Sequence, residues 1–124
     1  MLQECFNVSQ HRGEPRRRFF FDDCLQLYTW TDSQGRVVAF ELAYDLWRDA
    51  RAFRWQSECG MEHYRIDDGE SKAFRKSVAI LRPDRSRIDR RLREELLRRS
   101  VLLEPEVAVV VLRELDRFLA DLEA

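Results

Sequence analysis

The run Arg36 to Asp45, RVVAFELAYD, constrains this chain most. Side chains alternate along a strand, so Val38, Phe40, Leu42 and Tyr44 fall on one side, and Val37, Ala39, Glu41 and Ala43 on the other. A strand with one wholly apolar side needs strands beside it and a layer over that side. The flanking sequence supplies both. Arg17 to Phe21 is a short aromatic strand, Asp22-Asp23 a turn, and Cys24 to Thr31 an alternating strand rich in β-formers. Asp32-Ser33-Gln34-Gly35 is a hairpin loop in which Gly35 can take a positive φ. Ala52 to Gln56 and Met61 to Asp67 read as two further strands around the turn Glu58-Cys59-Gly60, and Ser77 to Leu81 as a short returning one. Short connections join antiparallel neighbours, which predicts a meander of about five to six strands.

Beyond Pro83-Asp84 the period changes. Ser86 can cap a helix to about Ser100, with Ile88, Leu92 and Leu96 in one stripe. Glu104-Pro105-Glu106 opens a second, where proline at the first helical position loses no hydrogen bond. Val107, Val111, Leu115, Phe118 and Leu122 form its stripe. The expected class is α+β, an antiparallel meander with two C-terminal helices packed on the face bearing Val38, Phe40, Leu42, Tyr44, Phe53 and Trp55. Residues 1–15 are polar and unpatterned and read as a mobile arm, leaving 16–124 as a single domain.

Charge narrows the function classes. The chain has 22 basic and 23 acidic residues, a formal net charge of −1, which leaves no global footprint for nucleic acid or an anionic membrane. Only Lys72 and Lys76 among the basic residues are lysine, a bias that a GC-rich genome explains more simply than selection for bidentate contacts does. No apolar stretch is long enough for a signal peptide or a membrane span, so the expected location is the cytoplasm. The odd cysteine count, Cys5, Cys24 and Cys59, argues against a disulfide framework and fits free, mostly buried thiols.

Four blocks, FELAYD (Phe40 to Asp45), AFRW (Ala52 to Trp55), HYRIDDGE (His63 to Glu70) and AIL (Ala79 to Leu81), resemble a family of short bacterial proteins of unknown function. Its members carry a Phe-x-Leu-x-Tyr-Asp strand, a strand ending in Trp, and a His followed by Asp-Asp-Gly-Glu. The resemblance covers roughly residues 17–120. It departs at Val78, where a proline is expected, and in the extra N-terminal arm. It implies a single bacterial domain and carries no activity, cofactor or catalytic residue.

The residues suggest three places for function. His63, Asp67, Asp68 and Glu70, with Trp55 nearby, invite a metal or acid–base reading. Yet His63 and Asp67 stand about 13 Å apart along a strand at about 3.3 Å per residue, so solvated acids at an Asp-Gly turn are the plainer account. No metal, cofactor or catalytic residue is therefore assigned. The second sheet face is expected to gather Gln26, Tyr28, Trp30, Val37, Ala39, Glu41, Ala43, Arg54, His63 and Arg65, aromatics mixed with charge. With the broadly apolar second helix, which adds Val109 and Val110, it suits a protein contact or a two-fold homodimer. The third place is the first helix region, with eight arginines against four acids between Arg82 and Arg99. Its arginines Arg82, Arg85, Arg87, Arg90 and Arg91 suggest weak nucleic-acid binding. Ion pairs at helical spacing, Asp89–Arg93, Glu94–Arg98 and Glu95–Arg99, account for most of that charge instead. The favoured reading is a non-catalytic protein-interaction domain that self-associates. The alternatives are a small enzyme or metal binder at His63 to Glu70, and an Arg-rich nucleic-acid binder.

Overall fold

The computed structural model describes residues 1–67, 80–83 and 91–123. Its strands are β1 (Gln3–Cys5), β2 (Arg16–Phe21), β3 (Gln26–Thr31), β4 (Val37–Tyr44), β5 (Arg51–Gln56), β6 (Gly60–Asp67) and β7 (Ile80–Pro83), followed by helices α1 (Arg91–Arg99) and α2 (Pro105–Glu123). The strands form one seven-stranded antiparallel sheet in sequence order, so every strand pairs with its chain neighbour. This is the expected α+β meander with two C-terminal helices. The predicted helix start at Ser86, and Ile88 with it, lies outside the described residues.

Local chemistry sets the turns. Asp22 Oδ1 accepts the backbone N–H groups of Cys24 and Leu25 at 2.7 and 2.8 Å, which closes the β2–β3 corner. Asp32 does the same for Gln34 and Arg36, and Gly35 takes φ 80° beside it. In α2, Pro105 sits at the first helical position, and the Glu104 carbonyl accepts from Val107 and Ala108.

The core lies on one face. Phe40 and Leu42 of β4 stand opposite Trp55 and Phe53 of β5, and all four are buried. Leu27 of β3 and Phe20 of β2 extend the layer. Over it sit Leu92 and Leu96 of α1 and the Val107, Val111 and Leu115 stripe of α2. Burying each such side chain contributes about 1.5–3 kcal/mol. One expected core residue is displaced. Thr29 pairs with Phe40 and Thr31 with Val37, so β4 carries an extra residue at Val38. This bulge turns Val37, not Val38, against the core.

The N-terminus is not a free arm. Leu2 is 1 % exposed within the core cluster, and its N–H donates to the Arg99 carbonyl at the end of α1. Gln3–Cys5 then adds β1 to the edge of β2. Further along, the Gln10 side chain takes both backbone groups of Arg17, at 2.6 and 2.8 Å, like one rung of a missing strand. The segment therefore covers an edge that would otherwise be open to pairing with another chain.

Two ionic clusters join this edge to the helices. Arg18 of β2 bonds both Glu4 of β1 and Glu104 before α2. Arg99 bonds Asp22, Asp23 and Glu95, with the Met1 ammonium 3.5 Å from Asp22. Burial works to raise the Asp22 carboxyl, whose side chain is only 4 % exposed. The Arg99 guanidinium and two backbone N–H donors outweigh that and hold it below the ordinary carboxylate value. Glu95 and Glu104 are lowered too, first by their bonds to Arg99 and Arg18.

Two outcomes follow from these tethers. Leu2→Ala is expected to cost about 2–4 kcal/mol in urea unfolding, the range for a buried leucine, whereas an untethered arm would cost less than about 0.5. Acid should also act through the lowered carboxylates. Their stabilisation is complete above their unfolded values, about pH 4, and is lost as pH falls through the lower folded ones. The urea midpoint should therefore hold at neutral pH and drop in acid, and Asp22→Asn should shrink that drop. An unchanged acid limb in Asp22→Asn would show that this cluster does not hold the fold.

Candidate functional site

The β5–β6 hairpin decides where His63 goes. Gln56 pairs with Gly60, leaving three turn residues, and Gly60 takes φ 84°. Phe53 therefore faces His63 and Trp55 faces Met61. Met61, His63 and Arg65 of β6 share the core side with Phe53 and Trp55. The expectation that His63 and Arg65 join the second face is thus corrected by one hairpin's register.

His63 is buried against rings. It stacks on Phe53 with centroids 4.7 Å apart and on Tyr44 at 5.9 Å. Phe118 of α2 meets Phe53 edge-on. The Tyr44 hydroxyl and His63 Nε2 share a hydrogen bond of 2.6 Å. Trp55 stacks on Phe40 and is a core residue. Asp67 closes β6 opposite Ile80, four residues beyond His63, while Asp68 and Glu70 lie outside the described residues. Among the described residues, no three of His, Cys, Asp and Glu are placed to hold a metal ion.

Tyr44 also faces a cleft. Its ring, with Cys24, Leu25 and Leu92, lines a space of about 490 Å³ between the β4–β5 loop and α1. Trp47 stands on the loop side, 71 % exposed, with its indole N–H donating to the Asp23 carbonyl at 2.9 Å. The loop starts at Asp45, which takes φ 53°, a left-handed conformation that Asp tolerates better than most residues. The sequence reading assigned no role to residues 46–51 and missed this cleft. The exposed Trp47 was the signal. Cys24 lies in the cleft wall, where burial pushes its thiol up, and Cys59 is exposed in its turn rather than buried.

The outer sheet face carries a ladder of rings. Phe21, Phe19, Tyr28 and Trp30 stack in succession with centroids 5.6, 4.5 and 6.1 Å apart. The Arg17 guanidinium lies 5.8 Å from the Tyr28 centroid. Beside Tyr28, Glu41 pairs across strands with Arg54, which bonds it at 3.2 Å. Phe21 is exposed and Phe19, Tyr28 and Trp30 are half-buried.

The apolar second helix divides more cleanly. Val107, Val111 and Leu115 are buried, Val110 is half-buried against the core, and Val109 is exposed on the side that also bears Arg113 and Arg117. Val109 and Val110 therefore do not form one outward patch. Around α1, Arg93 pairs with Asp116 of α2, Arg98 with Glu95, and Arg99 with Glu95 and the β2–β3 turn. Of the arginines proposed for nucleic acid, Arg91 borders the cleft, Arg82 lies in β7, and Arg85, Arg87 and Arg90 lie outside the described residues. No helix among the described residues is long and apolar enough to cross a membrane. No family model matches the chain, and neither a curated protein nor a solved structure matches it.

The Tyr44–His63 bond gives a direct test of this buried pair. Tyr44→Phe removes the hydroxyl while keeping the ring, and should destabilise the fold by about 1–3 kcal/mol in urea unfolding, the cost of depriving a buried polar group. A change below about 0.5 kcal/mol would mean that the bond contributes nothing.

Proposed function

We propose that this chain is a non-catalytic protein-interaction domain whose partner is a second copy of itself, docked on the outer sheet face. One observation carries the reading. The helices cover the other side of the sheet, and the outer side bears four stacked rings, Phe21, Phe19, Tyr28 and Trp30, in partial contact with solvent. Tyr, Trp, Phe and Arg are the residue types enriched in protein contacts, and Arg17 over Tyr28 completes the set.

The patch also suits itself. Packed sheets keep their strands within about 30° of each other. Consider a two-fold axis in the plane between two such faces, crossing β3 between Tyr28 and Trp30. It sets Tyr28 of one copy over Trp30 of the other, and Phe19 over Arg17. Rings then meet rings or a guanidinium, and the same surface serves both copies. Glu41 and Arg54 already neutralise each other in the sheet, so covering them buries a pair rather than a lone charge.

Light scattering on the eluting peak tests the proposal. Twice the chain mass is expected at high micromolar concentration. Trp30→Lys should return the protein to the single-chain mass with its far-ultraviolet dichroism unchanged, because the side chain leaves the core untouched. A strict monomer in the parent chain, or a Trp30→Lys dimer as tight as the parent, would overturn the reading.

A further inference from the structure

The chain between β1 and β2 reaches back to one residue of the outer sheet face. We infer that Ser9 and Gln10 are a clamp that positions Arg17 for the docked copy, so that self-association is controlled from this loop. The inference rests on the docking proposed above. The clamp begins where β1 stops. Cys5 stands opposite Phe19, so one more rung would set Asn7 opposite Arg17. The chain instead leaves the edge and turns over residues 11–14. There Gly13 takes φ 85°, and the Glu14 N–H donates to the His11 carbonyl at 3.1 Å. The turn lays Gln10 beside β2, where its side-chain amide fills the rung. Oε1 accepts the Arg17 N–H at 2.8 Å, and Nε2 donates to the Arg17 carbonyl at 2.6 Å.

A second tether holds the side chain itself. The Arg17 guanidinium donates from Nη2 to the Ser9 carbonyl at 2.9 Å, and its carbon lies 5.8 Å from the Tyr28 centroid. Arg17 also stands opposite Trp30 in the sheet. Backbone, guanidinium and ring thus place it inside the aromatic ladder. A free arginine has wide rotamer freedom, and a surface that must freeze it on docking binds more weakly than one already holding it. Ser9 and Gln10 do that holding before a partner arrives. Two-fold docking counts the gain twice, because Phe19 of each copy covers Arg17 of the other. The clamp contributes little to the core. All three of its bonds lie on the solvent side, and Ser9 and Gln10 are exposed.

Dimer dissociation constants from sedimentation equilibrium test the clamp in four full-length chains: the parent, Gln10→Ala, Arg17→Ala and the double variant. Gln10→Ala should weaken the dimer about tenfold, the scale of ordering one long side chain in each copy. Its far-ultraviolet dichroism should match the parent's, because no core residue changes. Arg17→Ala should weaken the dimer at least as much. The double variant should then be no weaker than Arg17→Ala, because Gln10 acts through the side chain that is already gone. A Gln10 that merely closed the sheet edge would weaken both backgrounds equally, since the backbone of residue 17 remains in Arg17→Ala. That result overturns the clamp and leaves the docking reading standing, as does a Gln10→Ala dimer as tight as the parent. A parent chain that stays monomeric overturns both together.

Discussion

Phe40 and Leu42 of β4, set opposite Trp55 and Phe53 of β5, make the patch on which the helices rest. α2 packs on β4 through Val107, Val111 and Leu115, and α1 adds Leu92 and Leu96. Everything else follows from that single buried layer. Two helices cover only one face of a sheet, so the other is left to the aromatic ladder and the Glu41–Arg54 pair. The same layer decides that His63, carried in by the β5–β6 register, becomes part of the packing and not a surface ligand.

The helices also need to be placed along the sheet, and apolar contact alone does so loosely because it is non-directional. Direction comes from Arg18 and Arg99. Arg18 ties β1, β2 and the start of α2, and Arg99 ties the end of α1 to the β2–β3 turn. Both cations use several donors at once, which is the geometry in which a guanidinium fixes orientation as well as charge. The Leu2 N–H on the Arg99 carbonyl draws the N-terminus into the same junction. The arginine content of α1 thus has tertiary partners: Arg93 reaches Asp116 and Arg99 reaches Asp22, beyond the within-helix pairs that spacing suggests.

Strands β3 and β4 were legible because each alternates over six to eight residues and ends at an Asp, β2 because of its run of three phenylalanines, and β5 and β6 because they flank the Gly60 turn. The α2 stripe was legible because its helical period continues past the run Val107 to Val111, which alone would also suit a strand. β1 was not, since three residues reading Gln-Glu-Cys show no alternation, and only Leu2 beside them hints at burial. The bulge at Val38 left no mark because both Val37 and Val38 are apolar, so either fits the core. The candidate site was legible only in pieces. His63 was singled out for its acidic neighbours along the chain. Its bonded partner is Tyr44, nineteen residues earlier, and sequence proximity cannot reveal such a pairing.

By itself, the sequence determined the class: period-two runs broken by turn residues make an antiparallel meander, and the later 3.6-residue stripes make two helices that must cover one side of it. These are local rules, written in neighbouring residues. Only the tertiary structure decided which side His63 faces, that the N-terminal residues complete the sheet edge, and that Tyr44, Trp47 and α1 enclose a cleft. Each of those depends on a register or on a contact between distant segments. One residue more or fewer in a turn reverses every side chain that follows in the strand, and composition is blind to that difference.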